Sequence, residues 1–101
     1  MNTDVNQKKW INLVHENLEL RGRSELTFIN YKSALTRFFN FYDRSIQIKK
    51  LKERDIIDFL KREYLIPNKS KNSYNLAVAA IRLLYLVCFN ISLNNFLLPS
   101  L

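Results

Sequence analysis

The chain has 101 residues, of which 48% are hydrophobic and 13% aromatic, a composition that excludes an intrinsically disordered protein and suits one small domain. One glycine and two prolines are too few for the tight turns of a β-sandwich, so the composition favours a few long helices. The net charge of +7 suits a polyanionic partner, although a merely basic, soluble surface would give the same charge.

The sequence predicts a cytosolic protein without a disulfide. Its single cysteine, Cys88, lies in the apolar run from Leu83 to Phe89, which indicates a buried structural thiol. The segment from Met1 to Lys9 is polar and lacks the apolar core of a signal peptide. The longest apolar stretch, Leu76 to Phe89, is interrupted by Arg82 and is too short to span a membrane.

Apolar spacing predicts two helices in the first half of the chain. The first runs from about Asp4 to Leu20 and ends at Gly22, which permits a left-handed turn; the arginines on either side suit the negative end of the helix dipole. The second runs from about Glu25 to Asp43 behind the N-cap Ser24. The expected inward residues are Trp10, Leu13, Val14, Leu18, Phe28, Tyr31, Leu35, Phe38, Phe39 and Tyr42.

Two further helices are predicted in the second half. After a basic connector from Arg44 to Leu51, the third helix runs from about Glu53 to Tyr64, and Pro67 prevents its continuation. The fourth runs from about Lys71 to Phe89 behind the cap Ser70. The expected inward residues are Ile56, Phe59, Leu60, Tyr64, Tyr74, Ala77, Val78, Ile81, Tyr85 and Cys88, widened by Leu76, Leu83, Leu84 and Leu86. The fourth helix is therefore expected to be central and buried on several sides.

Three of these segments resemble motifs of the tyrosine recombinase (phage integrase) family. The first is Gly22-Arg-Ser24-Glu-Leu-Thr27-Phe-Ile-Asn-Tyr31, similar to the Gly-x-Ser-x-x-Thr-x-x-x-Tyr that opens the family's second helix, and Leu35, Phe38 and Phe41 continue its pattern. The second is Leu51-Lys-Glu-Arg-Asp55-Ile56-Ile-Asp-Phe59-Leu60, similar to Leu-Thr-x-x-Asp-Ile-x-x-Phe-Leu. The third is Ser70-Lys-Asn-Ser73-Tyr-Asn75 with Leu-Ala-Val78-Ala-Ala-Ile81-Arg82-Leu-Leu-Tyr85, similar to Ser-x-x-Thr-x-Asn and its Leu-Arg-x-x-Tyr end.

The resemblance spans about Trp10 to Phe96 and includes three departures. Lys52 stands where the family has a Ser or Thr cap, so the third helix is expected to start loosely. Ser73 replaces a Thr, and Asn95 replaces the proline of an Asn-Pro-Phe that leads toward the catalytic domain.

The helices predict an all-α fold, and the resemblance implies a compact orthogonal, SAM-like bundle of four helices with a possible short fifth. Residues 1–93 would form a core-binding domain, and residues 94–101 would begin a linker to a catalytic domain. The resemblance implies that the second and fourth helices lie against double-stranded DNA. It places the catalytic Arg, Lys, His and nucleophilic Tyr in the other domain, so this chain would bind DNA without catalysis. Further expected partners are its own catalytic domain and neighbouring recombinase subunits, with no cofactor, metal or membrane.

The candidate DNA-binding residues lie on the second and fourth helices, where hydroxyls, amides and cations can meet phosphates, and where Asn can also read base edges. They are Thr27, Asn30, Lys32, Arg37, Lys69, Ser70, Lys71, Asn72, Ser73, Asn75 and Arg82. A solvated face with capping residues is the alternative. Arg82 either reaches DNA or pairs with an acid inside the bundle.

Two other groups have two interpretations. Tyr31 matches a family position near the DNA, but its helical phase favours a core ring with its hydroxyl at the edge. The basic residues of the connector, Arg44, Lys49, Lys50, Lys52 and Arg54, are either a second phosphate contact or solvated charge.

Catalysis finds little support in the residues. The only histidine, His15, has no nearby cysteine, and Asp55 and Asp58 are better explained by their place at a helix start. One glycine cannot build a phosphate loop. Two alternatives to an integrase domain remain: a helical protein-interaction module, favoured by mixed surface charge, and a free-standing DNA-binding protein. An apolar patch from Phe96 to Leu98 would argue against the latter.

Overall fold

The computed structural model describes residues 2–43 and 46–93, with side chains from Val5 onward. These ranges contain four α-helices: α1 (Asn2–Leu20), α2 (Glu25–Phe41), α3 (Glu53–Leu60) and α4 (Lys71–Phe89). A 3₁₀ turn (Ile48–Lys50) precedes α3, and a π-helical turn (Lys61–Leu65) continues it. The all-α prediction is confirmed, and α4 has the predicted limits. The predicted linker, residues 94–101, lies outside the described residues, and so does Arg44 of the connector.

Serine side chains cap α2 and α4 as predicted. The Ser24 Oγ accepts the backbone N–H of Thr27 at 3.2 Å, and the Ser70 Oγ accepts that of Ser73 at 3.1 Å. Each bond satisfies an amide that has no acceptor inside the helix.

A residue in the left-handed backbone conformation follows both α1 and the π turn. Gly22 has φ +73°, which confirms the predicted left-handed turn, and Asn68 has φ +60°. In the first turn Arg23 N–H bonds the Leu18 carbonyl at 2.9 Å; in the second, Lys69 N–H bonds the Tyr64 carbonyl at 2.8 Å. Both are Schellman-type ends, which reverse the chain within a few residues.

The start of α3 is closed, although a loose start was expected. The Asp55 Oδ2 accepts the backbone N–H of Lys52 at 2.9 Å, so an acid in the first turn takes the place of a capping hydroxyl. The predicted end of α2 at Asp43 is wrong by two residues, because Tyr42 is extended (φ −100°, ψ 152°). This conformation brings the Tyr42 hydroxyl to the Asp55 carbonyl at 2.8 Å, which joins α2 to α3.

The apolar core is built around α4, which contacts α1, α2 and α3. Eight residues of α4 are buried: Tyr74, Ala77, Val78, Ala80, Ile81, Leu83, Leu84 and Tyr85. Phe38 lies at the centre and makes edge-on ring contacts with Phe59 (5.1 Å between centroids) and Tyr85 (6.4 Å). The expected burial of Leu86 is wrong: it is 47% exposed, because it lines an open cleft together with residues of α1 and α2.

By length and composition α4 could cross a membrane, since the helix extends to 19 residues from Lys71. The apolar stretch from Leu76, taken alone, is too short to do so. Within the described residues, α4 packs as the core helix of the bundle, and 44% of its membrane-length stretch is buried.

Two polar side chains of α4 contact backbone carbonyl groups that are distant in the sequence. The Tyr85 hydroxyl donates to the carbonyl of Ile48, which fixes the 3₁₀ turn against the core. Cys88 is half-buried rather than buried, and its thiol lies 3.5 Å from the Trp10 carbonyl oxygen. Burial raises the pKa of Cys88 to about 11, so the thiol stays protonated near neutral pH, in line with a structural role.

We expect Tyr85→Phe to lower the free energy of unfolding by about 0.5–1.5 kcal/mol, because the buried hydrogen bond to the Ile48 carbonyl would be lost while that carbonyl keeps the Leu51 N–H as a donor. Tyr74→Phe is the matched control on the same helix. The Tyr74 hydroxyl is buried and has no hydrogen-bond partner among the described residues, so its removal should cost nothing. Urea denaturation followed by circular dichroism measures both variants, and equal losses would contradict this account.

We expect Ser70→Ala to destabilise the fold by about 1 kcal/mol, because the Ser73 amide would lose its acceptor. Ser70→Asp should unfold close to the wild type, since a carboxylate can cap the same amide and favours the positive end of the helix. The same denaturation experiment compares them. If the alanine variant is as stable as the aspartate variant, the cap does not contribute.

Candidate nucleic-acid interface

A cleft between α2 and the start of α4 brings predicted DNA-binding residues together. This first cleft is lined by Asn30, Ser33, Ala34, Arg37, Tyr64, Ser73 and Leu76. Asn30, Arg37 and Ser73 belong to the set selected from sequence. Polar groups from two helices therefore meet in one concave surface.

The geometry of α2 explains this meeting. Asn30 and Arg37 are seven residues apart, or about two helical turns, so they lie above one another on the same flank. Ala34 lies between them and is buried, and its small side chain lets α4 approach closely. Lys32 is rotated by about 200° from Asn30, so it lies on another flank and lines neither this cleft nor the one described below.

The buried ring of Tyr64 positions two cations at this cleft. The guanidinium carbon of Arg37 lies 6.0 Å from the ring centroid and the Lys69 Nζ lies 5.8 Å from it, within the range of cation–π attraction. Burial raises the pKa of Tyr64, an effect that Arg37 partly opposes, so the phenol is neutral near pH 7. The sequence predicts Tyr64 only as a core residue, because no pattern in the neighbouring residues indicates that its ring contacts two cations.

The N-terminus of α4 adds hydrogen-bond donors. The Ser70 hydroxyl donates to the Ser73 Oγ at 3.1 Å, which orders both side chains. The amides of Lys71 and Asn72, in the first turn, have no acceptor within the helix, and the helix dipole adds partial positive charge there. Such a helix start can bind a phosphate. Lys71 and Asn72 are exposed beside the cleft, and Asn75 is half-buried one turn further on.

An acid that the sequence pattern does not reveal lies next to Arg37. The Arg37 Nη1 is 3.5 Å from the Glu63 Oε1, and both side chains are partly exposed (44% and 32%). An ion pair with this exposure is weak, because water screens it. An incoming phosphate can therefore compete with Glu63 for the guanidinium group.

A second cleft lies between the first half of α2, the end of α1 and the middle of α4. It is lined by Leu18, Arg21, Arg23, Tyr31, Ala79, Arg82, Leu83 and Leu86. Arg82 is exposed, so it is not a charge inside the bundle. Tyr31 is half-buried and packs on the core, as its helical phase predicted. Arg21 and Arg23 were interpreted from sequence only as charges at a helix end.

The remaining candidates have local structural roles. Thr27 takes part in the α2 cap, with its Oγ1 3.1 Å from the Ser24 Oγ. The basic connector residues are exposed, and none of them lines either cleft; they are Lys49, Lys50, Lys52 and Arg54.

The residues considered for catalysis also have structural partners. The His15 Nε2 lies 3.1 Å from the Glu25 Oε1, and its ring stacks on Phe28. Asp58 pairs with Arg62 at 3.1 Å, four residues further along the chain. In the part of the chain that the structure describes, no three His, Cys, Asp or Glu residues form a metal-binding group.

The family model described as "Phage integrase, N-terminal SAM-like domain" matches residues 10–93. Comparisons with curated proteins and with solved structures found no match. The matched span includes both clefts and all of α2, α3 and α4, and it agrees with the resemblance seen between Trp10 and Phe96. The chain therefore belongs to the family of phage integrase N-terminal SAM-like domains.

Proposed function

We propose that this chain is the non-catalytic DNA-binding domain of a site-specific tyrosine recombinase, and that it clamps double-stranded DNA at the recombination site. The observation that supports this most is the first cleft, where Asn30 and Arg37 of α2 meet Ser73 at the start of α4. Cutting and rejoining of DNA would belong to a separate catalytic domain.

The distribution of charge favours DNA over a protein partner. α4 contains no acidic residue, and the only acid of α2 is Glu25 in its first turn. α1 and α3 each contain both signs of charge. A protein-interaction module would be expected to show mixed charge on every helix, whereas a polyanion requires a surface that is mainly basic.

The chemistry of the first cleft suits a backbone phosphate. Ser73 and the amides of the first turn of α4 can donate hydrogen bonds to phosphate oxygens, while Arg37 and Lys69 supply positive charge. Contacts of this kind fix the position of a protein on DNA and are nearly independent of sequence. We infer that the domain contributes affinity and register, with Asn75 as the candidate for a base contact.

A separate apolar area supports the proposed contact with neighbouring recombinase subunits. Leu26 and Ile29 lie one turn apart on α2 and are 65% and 53% exposed. Apolar side chains grouped on a surface favour protein contacts.

We expect the chain to bind a mixed-sequence DNA duplex with an affinity that falls steeply with salt. The slope of log affinity against log salt should be roughly −0.9 for each phosphate contact. Lys69→Ala/Lys71→Ala should bind more weakly and show a shallower slope. Lys8→Ala/Lys9→Ala, two exposed lysines on α1, is the matched control for the removal of two charges. Fluorescence anisotropy at several salt concentrations measures all three proteins. Absence of binding by the folded wild type at low salt would favour the protein-interaction module.

We expect Glu63→Gln to strengthen DNA binding, because it frees Arg37 from its acidic partner. The gain should be roughly two- to five-fold, as for a partly exposed ion pair worth about 0.5–1 kcal/mol. Glu16→Gln changes the net charge equally at an exposed site on α1 and should have a smaller effect. The same anisotropy titration compares them, and an equal gain in both variants would mean that Arg37 does not contact DNA.

A further inference from the structure

The second cleft concentrates positive charge that the sequence does not predict. The guanidinium-bearing residues Arg21, Arg23 and Arg82 line it together, and none of the described residues that line it is acidic. Its apolar lining consists of Leu18, Ala79, Leu83 and Leu86. Arg82 also influences the core, since its charge partly opposes the rise in the pKa of Tyr74 that burial causes.

The turn after α1 fixes two of these arginines. Gly22 has φ +73°, and its N–H bonds the Glu19 carbonyl at 2.9 Å, while Arg23 N–H bonds the Leu18 carbonyl at 2.9 Å. This tight turn places Arg21 and Arg23 on the same cleft. A role at the negative end of the α1 dipole accounts for Arg21, but it does not explain why Arg82 of α4 joins them.

Three arginines that line one cleft favour the binding of an anion there, because each guanidinium group attracts negative charge. Guanidinium also matches the geometry of phosphate oxygens and can donate two parallel hydrogen bonds.

We propose that the second cleft is a phosphodiester-binding site, in which Arg21, Arg23 and Arg82 hold a backbone phosphate of the DNA. This inference rests on the proposed function, and it adds two DNA-contacting residues, Arg21 and Arg23, from the turn between α1 and α2. The domain then grips the duplex at both ends of the contact between α2 and α4.

The two clefts should act independently. Ser73 and Arg82 are nine residues apart on α4, which corresponds to a rise of about 13 Å. This distance exceeds the screening length of about 10 Å at 0.1 M salt. The counterions released at each cleft should therefore add in the salt dependence of binding.

The test is the salt-dependent anisotropy titration of the same duplex with Arg21→Ala/Arg23→Ala. We expect a slope shallower than the wild type by roughly 0.9 for each phosphate that the variant no longer neutralises. The control Lys8→Ala/Lys9→Ala removes the same charge and should change the slope little. Arg21→Lys/Arg23→Lys keeps the charge, so its slope of log affinity against log salt should stay close to that of the wild type. Combination with Lys69→Ala/Lys71→Ala should give the sum of the two changes in slope.

A slope for Arg21→Ala/Arg23→Ala equal to that of the control would overturn the second site, while binding by the wild type would leave the proposed function standing. Failure of the folded wild type to bind would overturn both. Circular dichroism checks the folding of each variant. Arg82→Gln, at an exposed position away from the turn, gives a second measurement if the double variant does not fold; an unchanged slope there would also overturn the site.

Discussion

Burial of α4 is the constraint on which the rest of the structure depends. This helix has apolar residues around most of its circumference, so α1, α2 and α3 must each cover part of it. Ala77 and Ala80 are fully buried, and their small side chains allow close approach by the neighbouring helices. Because α2 covers only part of α4, polar flanks of the two helices are left side by side at the edges of their contact. Both clefts lie at these edges, so the candidate interface is a consequence of how the core is packed.

Several acidic side chains of the described residues have structural partners away from the clefts. Asp55 closes the start of α3, Asp58 pairs with Arg62, and Glu25 pairs with His15. None of these acids lines either cleft. Among the described ion pairs, only that of Glu63 with Arg37 involves an arginine of the first cleft. The described side chains that line the two clefts therefore include arginines but no acid.

Part of the candidate interface could be predicted from sequence, because its residues belong to local patterns. Ser70 and Ser73 were identifiable from their position before an apolar helix, and Asn30 and Arg37 from their place opposite the apolar stripe. Residues whose role depends on a distant partner were not identifiable. Tyr64 supports cations that come from α2 and from the turn before α4. Arg21 and Arg23 face a helix that lies about 60 residues later in the chain. Such neighbours leave no periodic signal in the sequence.

The sequence by itself determined the helices, their capping residues, most of the inward-facing side chains and the family. These depend on interactions within about four residues along the chain, which spacing and composition record directly. Only the tertiary structure decided which flanks of α2 and α4 become clefts, why α2 ends at Phe41, and why Leu86 stays exposed. The physical reason is that each of these depends on where another helix lies. That position is set by packing the whole core at once, and no single segment of the sequence encodes it.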